Sequence, residues 1–304
     1  MSVLDYQNMS QEEIDADWDW EIAPEMFPLL NHDLLYHYYS GASARKVFKK
    51  DCVHLRLSKV SAYKDKMEGV AVAAYYDSAL EELKAEKCIS KEQYNLFKTL
   101  EVPNELFLPI DEIDGIDHWS YTQFEAFAIC FSTERDDPYM FQNYGGKGKE
   151  EGHCVHLFGL ELKDLETRAI ANYSRIVLSP ILYGHSAKDF IKEKILAVTG
   201  NQYLMKSYRY YIEDILWLCQ YTVKLAKYSE EHEIRLLVFL PVNKREGYQD
   251  IELIKDDPEH IYFNIPKCVF CSTSHDPKNT QQENSAFIDL LKENKYDLLD
   301  IDAE

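Results

Sequence analysis

The chain has 304 residues, of which 53 are acidic and 33 are basic, so its formal net charge is −20 at pH 7. Such a surface repels nucleic acid backbones and anionic membranes, and non-specific binding to either is disfavoured. Hydrophobic residues make up 46% of the chain, which excludes a globally disordered protein and suffices for a core without disulfides or a structural metal.

The cysteines and the amino terminus predict the compartment. Seven cysteines at irregular spacing do not form a disulfide framework and are typical of a reducing compartment. The first 26 residues are acidic and lack the basic start and apolar run of a secretion signal. Apolar stretches such as 234–241 are too short to span a bilayer. We therefore expect a cytoplasmic protein, or one delivered into a host cytosol, with no membrane partner.

An acidic leader, residues 1–30, is predicted to precede one domain that covers residues 31–304. The leader is either a loosely packed tail or a docking segment for a partner, and we favour the tail because chain termini are commonly weakly ordered. No linker rich in glycine, serine or proline divides the remaining chain, so a single domain is the simplest interpretation.

Strands and helices alternate irregularly in the first half of the chain. Leu34–Ser40 is predicted to be a strand, and 52–58 is predicted to be half-buried because its apolar and polar residues alternate. Helices are expected over 69–87 and 90–100. The continuous apolar run Phe124–Ser132 then predicts a buried strand.

A short helix is expected after Pro138, and strands over 152–158 and 175–182. A capping box formed by Ser186 and Asp189 is expected to begin a helix that ends near Gly200.

The strongest helical pattern covers residues 203–228, where apolar side chains such as Leu204 and Ile215 recur every three or four residues. Strands over 233–240 and 261–271 and a helix over 286–294 complete the chain. Because strands do not alternate regularly with helices, an α+β domain is favoured over a doubly wound parallel sheet.

Familiar catalytic and metal motifs are missing from the sequence. It has no phosphate-binding loop, no dinucleotide-binding glycine motif, and no zinc-protease or serine-hydrolase motif. Cys268, Cys271 and His275 supply three potential zinc ligands in an apolar run, so we predict buried cysteines and no metal. A cysteine hydrolase using Cys130 or Cys154 is disfavoured; Cys130 lies within an apolar run, where a buried thiol stays protonated.

Two carboxylates stand at the start of the predicted strand 233–240. If the strand includes Glu231, then Glu231, Glu233 and Arg235 share one face, and the arginine could neutralise one of the two acids. The three residues form either a solvent-facing row of ion pairs or a carboxylate pair that faces a pocket. Spacing alone favours the first interpretation.

Separated segments between residues 34 and 240 follow the order HYYS, LRLS with KDKMEG, CFS with DDPYMFQNYG, GHCVHLF and SEEHEIRLL. This order resembles a widespread bacterial family of unknown function, whose members carry HYTS, LSNP, NDPFE, CFS, MWxxYG, GVCIxF and YExEWR. The chain departs from the pattern at Lys64, Phe141 and Ile234, where the family has Asn, Trp and Trp. That family is distantly similar to ADP-ribosyltransferases, including the branch of DNA-modifying toxins.

The resemblance implies a single domain with a split, mainly antiparallel β-sheet and several flanking helices, which binds NAD as a substrate. It implies that His37 hydrogen-bonds the adenosine ribose and that Ser132 holds the nicotinamide ribose. Arg56, on the polar side of the strand 52–58, is a further candidate for binding NAD.

The resemblance also implies which residues lie beside the nicotinamide–ribose bond. The aromatic candidates for stacking on nicotinamide are Tyr38, Phe141 and Tyr144. The catalytic carboxylate would be Glu233, or alternatively Glu231. A fixed carboxylate suits the reaction because breaking the bond between nicotinamide and ribose builds positive charge on the sugar.

Together these features predict an enzyme that cleaves NAD and transfers ADP-ribose to an acceptor, as a bacterial toxin, effector or phage-defence protein. The acidic surface favours a protein or small molecule over nucleic acid as the acceptor. The alternative is a non-catalytic binding module of the same fold that acts in partner recognition or immunity.

Overall fold

The computed structural model describes residues 34–40, 46–62, 70–103, 106–113, 116–140, 155–161, 175–242, 250–265, 270–275 and 281–296. The predicted leader 1–30 lies outside these residues, as do Phe141 and Tyr144. The chain divides into two compact units. The helical unit contains the described residues of 70–123 and 181–228, and the sheet unit contains those of 34–62, 124–180 and 229–296. The single domain stays a prediction.

The described strands and helices have the following bounds. The strands are β1 Leu34–Ser40, β2 Val53–Lys59, β3 Leu106–Ile113, β4 Ile116–Thr122, β5 Phe124–Ser132, β6 Val155–Glu161, β7 Arg175–Pro180, β8 Leu182–Tyr183, β9 Val223–Lys224, β10 Glu233–Pro241, β11 Ile251–Leu253, β12 His260–Ile265 and β13 Phe270–His275. The helices are α1 Val70–Ala85, α2 Lys91–Phe97, α3 His185–Gly200, α4 Gln202–Lys206, α5 Tyr208–Thr222 and α6 Gln281–Glu293.

The described strands of the sheet unit form a nine-stranded sheet in which every pairing is antiparallel. With the helices, this confirms the α+β class. Strand β5 is central: β10 pairs along the whole of one edge, and β7 pairs with β10 beyond it.

Two strands share the other edge of β5. Strand β1 meets it at Ser132, whereas β2 meets it at Ala128 and Phe127. The sheet therefore continues in two directions from this edge, through β6 and β13 on one branch and through β12 and β11 on the other.

One face of this sheet, here called the core face, carries the apolar core of the sheet unit. Alternate residues of a strand point to opposite faces, which is why Phe127, Ile129 and Phe131 of β5 lie on the core face. Helix α6 packs against this face through Phe287 and Leu291. Its main strand residues are Leu35, Val53, Leu55, Leu57, Phe127, Ile129, Phe131, Ile234, Leu236, Val238, Leu240, Ile261, Phe263 and Ile265.

The helical unit has its own core, formed mainly by α1, α3 and α5. The predicted helix 203–228 is interrupted at Ser207 and ends at Thr222, where the chain becomes the short strand β9. Its apolar stripe is nevertheless buried as predicted, from Leu204 to Ile215 and Cys219. None of the described helices is both long and apolar enough to cross a membrane.

The start of α3 differs from the prediction. The Ser186 hydroxyl bonds the backbone of Tyr183 and does not cap the helix. Gly184 precedes the helix with a φ of 54°, and a Cβ at this position would lie 2.9 Å from the Ala226 Cβ. Both the backbone conformation and the close approach require glycine here.

We expect Ile215→Ala to destabilise the protein by about 2–5 kcal/mol, because Ile215 is fully buried in the core of the helical unit. Urea denaturation with exposed Leu196→Ala on α3 as a control measures the difference. Equal stability of the two variants would contradict the buried position of Ile215.

Candidate functional site

Two predicted site residues, Ser132 and Glu233, form a row with Tyr36 across three adjacent strands. Ser132, the last residue of β5, lies opposite Tyr36 of β1 on one side and opposite Glu233 of β10 on the other. Directly opposite residues of an antiparallel pair share a face and have Cβ atoms about 4.5–5.5 Å apart. Tyr36, Ser132 and Glu233 therefore lie together on the face opposite the core face, here called the site face.

Glu233 is buried and forms an ion pair. The Arg235 Nε donates to the Glu233 Oε1 at 2.6 Å, and the two side chains are only 1% and 2% exposed. Both residues lie on β10 two positions apart, which brings them to the site face. The solvent-facing row that spacing favoured is wrong, because Glu233 and Arg235 are both buried.

Glu231 is not on the same strand as Glu233. It ends the 3₁₀ turn Ala226–Glu231, and the strand begins two residues later. Between them His232 has a φ of 43°, which breaks the extended backbone. The premise that both carboxylates share a strand face is therefore wrong, although Glu231 is also buried.

The Ser132 side chain organises the backbone that leaves β5. Its fully buried hydroxyl accepts a hydrogen bond from the Glu134 N–H at 3.1 Å. The Thr133 N–H donates to the His232 carbonyl, which keeps β5 and β10 together beyond the last strand pair. Ser132 and Glu233 are thus held in a defined relative position.

Tyr38 holds the loop that follows β5. Its hydroxyl donates to the Glu134 carbonyl at 2.7 Å and accepts from the Asp137 N–H at 2.9 Å. The ring is buried against Met140. Burial raises the pKa of Tyr38, so the hydroxyl stays protonated. The structure thus gives Tyr38 a role in fixing this loop, and its stacking on nicotinamide stays a prediction.

His37 lies at the place where the sheet divides. Its Nδ1 is 2.7 Å from the carbonyl oxygen of Cys130, between the β1 pairing at Ser132 and the β2 pairing at Ala128. A carbonyl only accepts, so Nδ1 is the donor and Nε2 is the acceptor of the neutral ring. Burial lowers the pKa of His37 to about 4, against the smaller opposing effect of the Cys130 hydrogen bond.

The structure does not bring His37 to the same face as Glu233. The imidazole packs edge-on against Phe131 of the core face, with 5.6 Å between ring centroids. Tyr36, its neighbour in sequence, points to the site face. His37 is therefore near Ser132 along the strands but on the other side of the sheet.

We expect the stability contributed by neutral His37 to disappear as the pH falls. The unfolded imidazole takes up a proton near its ordinary pKa of 6.5 and the folded one only near 4. Stability is thus fully present above about pH 6.5 and declines toward pH 4, by at most about 3 kcal/mol. The measurement is the free energy of unfolding of wild type and His37→Asn between pH 7 and pH 4. Parallel curves for the two proteins would contradict the burial of a neutral ring.

The remaining candidates lie elsewhere. Arg56 is on the other branch of the sheet, opposite Tyr262, and its Nη2 pairs with the Asp257 carboxylate at 3.3 Å. Phe141 and Tyr144 lie outside the described residues. Cys268 and Cys154 lie outside them as well. Across the described residues no group of three or more His, Cys, Asp or Glu side chains could hold a metal.

Sequence reasoning did not place Tyr36 and Arg235 among the site residues. Arg235 was visible as a partner for a carboxylate two positions away, but its burial was not. An arginine within the apolar run Glu233–Pro241 is the signal that could have identified it, because arginine is almost never fully buried unless it is paired.

We compared the chain with protein-family models, with curated proteins and with solved structures. These comparisons found no match.

Proposed function

We propose that the protein is an ADP-ribosyltransferase-like enzyme that cleaves NAD between nicotinamide and ribose and transfers ADP-ribose to an acceptor. The observation that carries this proposal is the row of Tyr36, Ser132 and Glu233, with a carboxylate held in place beside Arg235. The order of sequence segments that resembles the bacterial family, from which the roles of Ser132 and Glu233 were taken, also supports it.

The arrangement suits the chemistry of NAD cleavage. As nicotinamide leaves, positive charge develops on the ribose, and a fixed carboxylate such as Glu233 stabilises this charge. The Ser132 hydroxyl lies directly across the strand pair from Glu233 and can orient a ribose hydroxyl next to it. A carboxylate can then also orient the nucleophile that attacks the sugar.

The divided edge of β5 supports the same assignment. In the proposed fold a split antiparallel sheet binds NAD, and the division of one edge of β5 between β1 and β2 supports this fold. We therefore assign Glu233 to the reacting end of NAD and assign no contact with NAD to His37, which packs against Phe131 on the other side of the sheet.

The acceptor class follows from charge. With a net charge of −20, the protein attracts basic proteins and small cations more than nucleic acid. We therefore propose a protein or small molecule as the acceptor.

One observation favours a second candidate, a non-catalytic binding module. A carboxylate that is 2% exposed and ion-paired is also typical of a purely structural pair. Such a protein would bind NAD or a partner without breaking a bond.

The experiment that separates the two uses NAD labelled once on nicotinamide and once on adenosine. Purified protein is incubated with each label, alone and with bacterial lysate, and free nicotinamide and label on macromolecules are measured. The enzyme releases nicotinamide and transfers only the adenosine label, in a fraction that protease rather than nuclease removes if the acceptor is protein. Binding of NAD without release of nicotinamide in any lysate would replace the enzyme by the binding module.

A further inference from the structure

We propose, on the basis of the function proposed above, that Arg235 is a positioning residue that acts on the reaction only through Glu233. The guanidinium would keep the carboxylate ionised and in one orientation toward the ribose. Nothing in the chemistry requires Arg235 itself to touch NAD.

The position of Arg235 in the sheet supports this role. Glu233 is the first residue of β10 and lies in the row that ends at Ser132. Arg235 lies one row deeper, opposite Cys130 of β5 and opposite Ser179 of β7. It is among the largest fully buried side chains of the described residues. Along β10, Glu233 lies between Arg235 and the strand end, where it stands opposite Ser132.

Stability does not explain why a charged pair occupies this place. Removing two charges from water costs free energy, and well-packed apolar residues often stabilise a protein interior at least as much as a buried ion pair. The next residues of β10 on the site face, Leu237 and Phe239, are apolar and fully buried. The strand thus accommodates apolar side chains on this face, yet it keeps an ion pair at the end where the candidate site lies.

The contact geometry indicates what the pair does. A buried carboxylate without a partner takes up a proton or turns toward water, and in either case it cannot stabilise a developing cation. The 2.6 Å bond from Arg235 Nε to Glu233 Oε1 opposes both changes. A group that must act on a transition state has to be charged and fixed in advance, which is what this bond provides.

The test is a double-mutant cycle on turnover, which distinguishes action through Glu233 from a separate role. The rate of nicotinamide release and the affinity for NAD are measured for wild type, Glu233→Gln, Arg235→Met and the double variant, below all melting temperatures. We expect each single variant to lose about 100-fold or more in turnover with a Kd for NAD within about 3-fold of wild type. The double variant should be no slower than Glu233→Gln alone, because Arg235 has nothing left to position.

Two further variants keep the test decisive. Arg235→Lys retains the charge but not the planar guanidinium, and we expect it to recover roughly 10-fold over Arg235→Met. If Arg235→Met does not fold, the loss caused by Arg235→Lys should vanish in the Glu233→Gln background. Arg209→Met is the matched control, because Arg209 pairs with Glu213 at 2.8 Å but is 63% exposed, and its turnover should equal wild type.

Losses that multiply in the double variant would overturn the inference and leave the proposed function intact. An increase in the Kd for NAD as large as the loss of turnover would overturn it too, because Arg235 would then contact the substrate. Wild-type protein that cleaves no NAD would instead overturn the proposed function, and this inference with it.

Discussion

Glu233→Gln is expected to lower the turnover of NAD by a factor of about 100 or more while NAD binding survives. The substitution keeps the shape of the side chain and removes its charge. The charge matters only as the sugar becomes cationic, so the ground-state complex loses little. Single-turnover release of nicotinamide and equilibrium binding of NAD, measured on the same protein, give the two quantities.

The control for this experiment has to account for stability. Glu233→Gln removes the negative charge beside the buried guanidinium of Arg235, so the variant is also expected to melt at a lower temperature. Ile215→Ala destabilises the helical unit without touching the candidate site and should keep its turnover below its melting temperature. If Glu231→Gln rather than Glu233→Gln abolished turnover, the catalytic carboxylate would be the one in the 3₁₀ turn.

Arg235→Met is expected to destabilise the protein by about 3–5 kcal/mol. The variant removes the guanidinium from a Glu233 carboxylate that is only 2% exposed, and losing a countercharge in the interior is far more costly than losing an apolar contact. Combining it with Glu233→Leu removes both charges, and we expect this double variant to be more stable than Arg235→Met alone. Urea denaturation of wild type and both variants at pH 7 measures these differences.

Exposed pairs offer the comparison for this prediction. Removing Arg209, whose partner Glu213 is on the same helix, should change stability by less than about 1 kcal/mol. A small effect of Arg235→Met, similar to that of Arg209→Met, would mean that water reaches the Glu233 carboxylate.

Local patterns predicted the strands that form the candidate site. The bounds of β1 and β5 agree with the prediction, and the predicted start of β10 is also correct. These predictions succeeded because both patterns are formed by residues that are close in the chain. A strand buried on one face alternates apolar and polar residues, and a strand buried on both faces is a continuous apolar run. The long run 203–228 was less well predicted, because interruption at Ser207 does not disturb the apolar stripe.

Local patterns do not reveal which strands pair, and the pairing decided the chemistry of the site. Nothing near Leu34–Ser40 indicates that it meets β5 at Ser132, nor that β2 takes over the same edge at Ala128. This pairing puts His37 against Phe131 on the core face and away from Glu233. It also places Arg56 on the other branch, beside Asp257, 201 residues away in the chain.

The sequence by itself determined the α+β class, the acidic net charge and the residue types available for the proposed reaction, because composition and short-range periodicity carry that information. Only the tertiary structure decided that Glu233 is buried, that Arg235 is its partner and that Glu231 is not its neighbour on the strand. These facts depend on which strands flank β10 and on one residue, His232, with a positive φ. The free energy of a charge depends on the surroundings that the whole fold builds around it, and spacing along the chain does not contain those surroundings.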